Sequence, residues 1–148
     1  MKVSVSKGAG IFFYKRLNGN ILVALGKRNE PPFYGSWSFA GGNFDKSDFD
    51  LYSCAIREAR EEFFYQKRAV FESIPKMIWN ASPKVSIHLG FFHWHAYFVD
   101  VTDLDLVFEK HPREIADIQW FSIDNLPPKT LSLVRLELFL AKRRGYFR

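Results

Sequence analysis

The stretch of sequence that decides how this chain folds is Arg57-Glu58-Ala59-Arg60-Glu61-Glu62. On a helix, Glu58 stands three and four residues from Glu61 and Glu62, so these three carboxylates share one side. Like charges at this spacing repel each other. Arg57 and Arg60 relieve part of the repulsion, and a hard divalent cation such as Mg²⁺, which prefers oxygen ligands, relieves it better. Taken alone, the stretch indicates either a metal site or an ordinary solvated helix face.

A glycine pair and an acidic loop precede this stretch. Gly41 and Gly42 follow a short predicted strand over residues 36–40, and glycine lets the backbone approach a ligand and point a carbonyl at an ion. Three acids that can add oxygen ligands or a helix N-cap lie before the helix: Asp45, Asp48 and Asp50. The order of strand, glycine pair, acidic loop and glutamate-rich helix is more specific than any of its parts.

Two helices are predicted. The glutamate-rich helix spans residues 48–65, with Ser47 or Asp48 as its N-cap. Its apolar residues recur every four positions and form a buried stripe: Leu51, Ala55, Ala59 and Phe63. The second helix spans residues 130–144, and its basic run 142–144 faces the helix dipole with Gly145 as a cap. The apolar face of this helix consists of Leu131, Val134, Leu138 and Ala141.

The remaining pattern predicts strands. Residues 10–14 and 21–25 flank Asn18-Gly19, a strong hairpin signal because both residues tolerate positive φ. Further strands are predicted over residues 75–80, 85–101 and 118–121, and residues 103–113 are predicted to be a polar connection. Strands mixed with two helices indicate an α/β domain whose helices pack on a mixed sheet. We predict that residues 1–148 form this one domain, because the sequence shows neither a repeat nor a linker.

Composition limits the class of protein. The 148 residues are 47% hydrophobic and 25% charged, as in a compact soluble domain, and 18% aromatic residues supply a sizeable core. No apolar run reaches the roughly 18 residues of a membrane-spanning helix, which excludes an integral membrane protein. The first seven residues carry no secretory signal, and Cys54 as the single cysteine excludes an internal disulfide, so we predict a cytoplasmic protein. The net charge of +5 favours an anionic partner.

Together, these features resemble the Nudix family of pyrophosphate hydrolases. The family signature is Gly, five residues, Glu, seven residues, then Arg-Glu-apolar-x-Glu-Glu-x-Gly-apolar. Gly42 and Asp48 fit its first part, with Asp in place of Glu. Eight residues instead of seven then precede Arg57, and Phe64 stands where the family has its later glycine. The resemblance implies a Nudix-like α/β/α sandwich with a central mixed β-sheet.

Two flanking segments extend the resemblance over nearly the whole chain. Residues 37–42, Trp-Ser-Phe-Ala-Gly-Gly, resemble the family's Trp-x-x-Pro-Gly-Gly, with Ala40 where proline is usual. Glu114-Ile115, Trp120-Phe121 and residues 124–127 resemble the family's late acidic, Trp-Phe and Leu-Pro segment.

The resemblance implies hydrolysis of a nucleoside diphosphate linked to another moiety, such as a nucleotide sugar, with Mg²⁺ or Mn²⁺ as cofactor. It places the metal on Glu58, Glu61, Glu62 and the carbonyl of Gly41 or Gly42. Arg57 is expected to orient a glutamate through a charge-assisted hydrogen bond. The general base is left open: Glu58 is the first choice, and Glu109 and Glu114 are the loop candidates.

Substrate contacts are predicted from residue type. Arg28, with Arg16 and Lys27, can steer phosphates, although basic residues at strand ends are more often simply solvated. The aromatic residues Phe33, Tyr34 and Trp37 can stack on a base, with core or loop packing as the alternative.

Two further features are predicted to be structural. His93 and His95 alternate on one predicted strand and so share a face, but no third nitrogen or sulfur ligand is near in sequence, which favours ordinary strand histidines over a zinc site. Cys54 lies between apolar neighbours and is predicted to be a buried small side chain instead of a nucleophile.

Two alternatives to a small-molecule hydrolase stay open. The altered spacing and the replaced glycine fit a Nudix-like module that senses a nucleotide with little or no turnover, and the family also includes enzymes that act on capped RNA ends. The chain lacks a long basic or disordered extension, which favours a small nucleotide over nucleic acid as partner. A homodimer is also open, because exposed aromatics serve an interface as readily as a core.

Overall fold

A single mixed sheet organises the chain. The structure is a computed structural model that describes residues 6–76, 79 and 85–147. The sheet runs in the order β3-β2-β1-β6-β5, with β4 also paired to β1 and β7 to β2. In chain order the elements are β1 (Ser6–Leu17), β2 (Asn20–Arg28), β3 (Trp37–Ser38), β4 (Ala40–Asn43), α1 (Leu51–Phe63), α2 (Arg68–Glu72), β5 (Val85–Leu89), β6 (Phe92–Asp100), β7 (Ile115–Ser122) and α3 (Ser132–Arg143).

The sheet separates two apolar cores. Strands β1 and β6 are parallel, whereas the other pairs among the described strands are antiparallel. Side chains alternate along β1, so Ile11 and Phe13 face one core and Phe12 faces the other. Helix α1 adds Ala55, Ala59 and Phe63 to the first core, and helix α3 adds Val134 and Leu138 to the second. The predicted α/β/α sandwich with a mixed sheet is confirmed.

The predicted hairpin is also confirmed. Asn18 has φ of 51° and Gly19 has φ of 79°, so both residues of the turn adopt the left-handed backbone that the Asn-Gly pair tolerates. Leu17 pairs with Asn20 directly across the turn.

Two predicted strands require correction. The run over residues 85–101 is two antiparallel strands, β5 and β6, because Gly90 takes a φ of 53° and turns the chain so that Leu89 pairs with Phe92. Of the strand predicted over residues 75–80, positions 75, 76 and 79 lie in no strand, and positions 77, 78 and 80 fall outside the described residues. The strand predicted over residues 118–121 is the middle of the longer β7.

The glutamate-rich helix starts later than predicted. The N-cap is Asp50, whose carboxylate accepts a hydrogen bond from the Ser53 backbone N–H at 2.8 Å. The prediction of Ser47 or Asp48 as N-cap is therefore wrong, because the Asp48 carboxylate is bound to Arg57 instead.

The helix ends without a glycine at the position where the resemblance expects one. Phe64 has φ of −127°, an ordinary value for a residue with a side chain, and its ring is buried. The chain leaves the helix by pairing with Glu109: Tyr65 N–H donates to the Glu109 carbonyl, and Glu109 N–H donates to the Phe63 carbonyl. Left-handed backbone comes two residues later, at Gln66 with φ of 56°.

The terminal helix begins at Ser132, not at residue 130. Leu131 N–H donates to the Trp37 carbonyl, and Trp37 N–H donates to the Lys129 carbonyl, so residues 129–131 bind the edge of the sheet before the helix starts. Beyond the helix, Gly145 adopts a φ of 78°, as expected of a capping glycine.

The connection over residues 103–113, predicted to be polar, also contributes to the core. Three of its apolar side chains, Leu104, Leu106 and Phe108, pack against the first core.

Among the described helices, none has the length and apolar character needed to cross a membrane. The extent of the domain over residues 1–148, a cytoplasmic location and a homodimer stay predictions.

One carboxyl group of α3 is buried without a partner. Glu137 is 0% exposed, and within the described residues neither of its carboxyl oxygens has a hydrogen-bond partner. Burial raises the pKa of this carboxyl well above its usual range. An unpaired buried carboxyl lowers the stability of the folded chain at neutral pH.

Replacing this residue with a hydrophobic one should stabilise the protein. We expect Glu137→Met to raise the free energy of unfolding by about 2 kcal/mol at pH 7, because the cost of burying the polar group disappears. The folded-state pKa lies above the unfolded one, so the ionisation-linked part of the wild-type penalty is absent below about pH 4.3 and grows as pH rises from there towards the raised pKa, while the cost of burying the neutral carboxyl stays at both pH values. Urea unfolding at pH 4 and pH 7 measures both effects. A variant less stable than wild type at pH 7 would contradict this account.

Candidate active site

An ion pair joins the loop after β4 to helix α1. The Arg57 guanidinium donates to both oxygens of Asp48, from Nε to Oδ1 at 2.8 Å and from Nη2 to Oδ2 at 2.9 Å. The Asp48 side chain is only 3% exposed, and its Oδ2 also accepts the Asp45 backbone N–H at 2.9 Å. These bonds hold the pKa of Asp48 below its usual range, with the Arg57 bond as the main cause.

Arg57 also contacts two glutamates of its own helix. Its Nη1 donates to Glu58 Oε1 at 3.1 Å and to Glu61 Oε2 at 3.3 Å, while Nη2 reaches the Asn43 carbonyl at 3.3 Å. The predicted hydrogen bond from this arginine to a glutamate is therefore present. Glu61 is turned towards Arg57 and solvent, with its side chain 49% exposed.

The other two glutamates of the stretch lie close together, with Glu62 buried and Glu58 partly buried. Burial raises the pKa of Glu58, partly opposed by hydrogen bonds from Glu62 and Arg57. Burial and the neighbouring charge of Glu58 raise the pKa of Glu62 still more clearly, and Glu114 adds a further negative charge. Two close carboxyl groups with raised pKa values form a site that a cation would stabilise.

The glycine pair lets the sheet approach these carboxyl groups. A Cβ atom on Gly42 would stand 2.6 Å from the Glu58 carboxyl carbon, and a Cβ on Gly41 would stand 2.6 Å from the Ala9 carbonyl oxygen. Neither position has room for a side chain. The absence of side chains at both positions is therefore what brings β1, β4 and the face of α1 together.

These elements enclose a polar cavity of about 340 Å³, called the acidic cavity below. Residues from the end of β2, from β4 and its following loop, from α1 and from the segment before β7 line it: Arg28, Glu30, Gly41, Gly42, Asn43, Phe44, Asp45, Arg57, Glu58, Glu62 and Glu114. It thus brings together most of the residues predicted for the site. Glu30 was missed, since a lone acid before two prolines carries no sequence signal of its own.

The chain's oxygen donors fit a hard divalent cation. Mg²⁺ is usually held by one or two carboxylates together with water and substrate phosphates. Glu58 and Glu62 supply two carboxylates, and the Gly41 and Gly42 backbone lines the same cavity. Within the described residues no group of three or more His, Cys, Asp or Glu side chains could hold an ion, so such an ion would rely on water or phosphate for further ligands.

Several predicted residues do not line the acidic cavity, and Glu61, predicted as a metal ligand, is one of them. Trp37 packs edge-on against Phe121, with ring centroids 4.8 Å apart. Tyr34 lines a separate cavity of about 540 Å³ beside residues 129–133. Glu109 pairs through its backbone with Phe63 and Tyr65 and is not among the residues that line the acidic cavity. Substrate or catalytic roles for Trp37, Tyr34 and Glu109, and the metal-binding role of Glu61, stay predictions.

The strand histidines gain a partner that the sequence did not suggest. His88 lies opposite His93 across the β5–β6 pair, with ring centroids 4.5 Å apart, and its Nε2 is 3.2 Å from the Nε2 of His95. Burial is the main cause that lowers the pKa of His95, followed by the charges of its two neighbours. In the part of the chain that the structure describes, these histidines do not form a group that could hold a metal ion.

The comparison with protein families shows which family the chain belongs to. The NUDIX domain model matches residues 6–141, and this range contains every residue of the acidic cavity. The chain belongs to the NUDIX domain family. The altered spacing and the replaced glycine therefore do not remove the chain from this family.

The Nudix chain is similar to curated proteins named NAD-capped RNA hydrolase NudC. It is 30% identical to the one from Pseudomonas aeruginosa strain LESB58 over 146 residues, which covers 92% of this chain and 49% of that protein. It is 27% identical over 142 residues to the one from Pseudomonas entomophila strain L48, covering 89% of this chain and 48% of that protein. The chain therefore spans about half the length of these relatives.

Solved structures confirm the Nudix fold. The NUDIX domain of Shewanella oneidensis NrtR, complexed with ADP ribose, superimposes with a TM-score of 0.73 at 16% identity, covering 97% of this chain and 90% of that chain. A C. elegans Ap4A hydrolase superimposes with a TM-score of 0.68 at 18% identity, covering 95% of this chain and 97% of that chain. At these identities the likeness concerns the fold.

Removing the charge of Asp48 should disturb the site through Arg57. We expect Asp48→Asn to lower kcat about 10- to 100-fold while changing KM little, because Arg57 loses its bidentate partner and no longer orients Glu58. Asp124→Asn, which breaks an exposed ion pair with Lys142, is the matched control and should leave both constants unchanged. Steady-state kinetics on both variants make the comparison. Equal effects from both would show that the Asp48–Arg57 pair does not position the site.

The buried cysteine should be chemically inert in the folded protein. Cys54 is 0% exposed, and its thiol contacts the Gly42 carbonyl at 3.7 Å. Burial, as the largest cause, raises the pKa of Cys54 to about 12. Because the thiolate is the reactive form, we expect iodoacetamide at pH 8 to leave it unmodified in the folded protein and to alkylate it in urea, as measured by mass spectrometry. Rapid alkylation without urea would contradict this expectation.

Proposed function

We propose that this protein is a divalent-cation-dependent hydrolase that cleaves a pyrophosphate bond in a nucleoside diphosphate linked to another moiety. The observation that carries the proposal is the acidic cavity, in which Glu58, Glu62 and Glu114 gather beside the glycine pair. Mg²⁺ or Mn²⁺ is the proposed cofactor, and a small nucleotide is the proposed partner. Family membership supports the reaction class, while the substrate and the metal are inferred from the residues.

Charge explains why such a site needs both a cation and Arg28. A bound divalent ion neutralises phosphate oxygens and favours deprotonation of an attacking water. Glu58 and Glu62 would hold that ion, with the glycine carbonyls as further ligands. Arg28 lines the cavity at the end of β2, and its charge opposes part of the rise in the pKa of Glu62 that burial and the neighbouring carboxyl groups cause. The guanidinium is thus placed where it can also bind a substrate phosphate.

Hydrolysis adds one water molecule across the P–O–P link. The water oxygen bonds to one phosphorus, the bridging P–O bond breaks, and the water proton passes to a carboxylate acting as general base. Glu58 stays the first choice for this base. Glu114 lines the same cavity and is the second choice, whereas Glu109 is disfavoured because its segment pairs with the end of α1.

The curated relatives favour a substrate of the dinucleotide type. The NudC proteins are named as hydrolases of NAD-capped RNA, and NAD is itself two nucleotides joined by a pyrophosphate bond. We therefore place NAD-type dinucleotides and NAD-capped RNA beside nucleotide sugars among the candidate substrates. A capped RNA end is therefore a stronger candidate substrate, relative to a small nucleotide, than the sequence pattern alone suggests.

Substitution of the buried glutamate should abolish most turnover. We expect Glu62→Gln to lower kcat about 100-fold and to weaken Mg²⁺ activation, because the amide removes a charge from the cation site. Glu72→Gln is the matched control: this glutamate forms an exposed ion pair with Arg68 on α2 and should keep wild-type kinetics. The measurement is initial rate against Mg²⁺ or Mn²⁺ concentration, with EDTA as the zero point. Undiminished turnover in Glu62→Gln or in EDTA would overturn the metal proposal.

A substrate panel identifies the reaction and separates it from the alternatives. The panel contains nucleotide sugars, dinucleoside polyphosphates, ADP-ribose, NAD⁺ and NADH, nucleoside triphosphates and an NAD-capped RNA. Turnover of one small-molecule group, lost in Glu62→Gln, supports the proposal and names the substrate. Turnover of the capped RNA alone would make RNA the substrate. No turnover, with a ligand that still raises the melting temperature, would support a nucleotide-sensing module.

A further inference from the structure

A bulky residue holds left-handed backbone in the loop between β2 and β3. Phe33 has φ of 64°, a region that residues with a Cβ adopt uncommonly and that is most readily tolerated by glycine, asparagine and aspartate. Its side chain is largely exposed, with the residue 64% accessible. A large apolar ring in a strained backbone and in contact with solvent contributes little to the core. Strain of this kind is concentrated at ligand sites.

Hydrogen bonds from the end of β2 fix this loop. Arg28 Nε donates to the Pro32 carbonyl at 2.8 Å, and the Arg28 backbone N–H donates to the Ser36 carbonyl at 2.8 Å. Gly35 N–H returns a bond to the Arg28 carbonyl at 2.9 Å, and Ser36 N–H donates to the Phe33 carbonyl at 3.0 Å. The loop conformation is therefore determined by its surroundings, and the ring of Phe33 is presented at a defined position.

That position borders a second cavity, of about 370 Å³, called the aromatic cavity below. Its apolar walls include Phe39, Trp94, Leu131 and Leu133, together with Phe33. The two cavities are neighbours, because four residues line both of them: Arg28, Gly41, Gly42 and Asn43. A molecule that spans both would place phosphates beside Arg28 and the carboxylates and a flat apolar group beside Phe33.

We propose that the aromatic cavity receives the base of the nucleotide and that Phe33 stacks on it and sets the preference for the nucleoside. This proposal rests on the proposed function. It states in addition where the nucleoside lies: in the aromatic cavity, beside the acidic cavity. Of the three aromatic residues predicted for stacking, Phe33 alone lines a cavity shared with the acidic site. Phe33 also borders the separate cavity that Tyr34 lines, but Tyr34 lines neither the acidic nor the aromatic cavity, and the ring of Trp37 packs against Phe121.

The test removes the ring and keeps the backbone. Asparagine adopts left-handed backbone more readily than phenylalanine, so Phe33→Asn should fold with an unchanged or higher melting temperature. We expect this variant to raise KM for the best panel substrate about tenfold, with kcat within about twofold of wild type, because stacking on the base is lost. Phe33→Trp, which keeps a flat ring, should restore KM to near the wild-type value. Dissociation constants for ADP, measured by isothermal titration calorimetry, should follow the same order: wild type and Phe33→Trp bind ADP with similar affinity, and Phe33→Asn binds it more weakly.

The control is a phenylalanine of similar exposure in another turn. Phe91, between β5 and β6, is 61% exposed and does not line either cavity, so Phe91→Asn should leave KM and ADP affinity unchanged. Wild-type KM and ADP affinity in Phe33→Asn would overturn the proposal, as would an equal loss in Phe33→Trp. If the wild-type protein turns over no panel substrate, the proposed function fails, and ADP affinity still decides the role of Phe33 separately.

Discussion

The bidentate pair between Arg57 and Asp48 is the interaction on which the site depends. It joins the loop after β4 to the middle of α1. The same guanidinium contacts Glu58, Glu61 and the carbonyl of Asn43, the last residue of β4. Without the positive charge of Arg57, the three glutamates on one side of the helix would repel each other more strongly. The arginine therefore supplies part of the positive charge that allows the carboxylates to be concentrated, and it fixes where Glu58 lies.

A second constraint comes from the space between β1, β4 and α1. Gly41 lies against the backbone of β1, and Gly42 lies against the carboxyl group of Glu58, so both close approaches require positions without side chains. Beside this approach Glu62 is buried and Glu58 partly buried, and burial raises the pKa values of both. Such burial of acids works against stability and is typical of functional sites.

The departures from the Nudix signature have structural explanations. Asp48 stands where the family has glutamate, and it reaches Arg57 from a loop that extends to the N-cap at Asp50. Phe64 replaces the later glycine because the chain leaves α1 with ordinary backbone there, pairs with Glu109 and places left-handed backbone at Gln66. The buried Phe64 ring packs against Phe13 and Phe108, so the position contributes to the core.

The sequence by itself determined the fold class, the hairpin at Asn18-Gly19, the helix of glutamates and the glycine pair, because each rests on local backbone preference or on spacing along one element. Only the tertiary structure decided that Glu61 turns away, that Glu30 joins the cavity and that Phe33, not Tyr34 or Trp37, borders the shared cavity. The strand over residues 85–101 was predicted as one element because a single glycine among β-prone residues does not reveal a turn. Side-chain direction depends on which segments meet across the fold, and spacing along the chain does not contain that information.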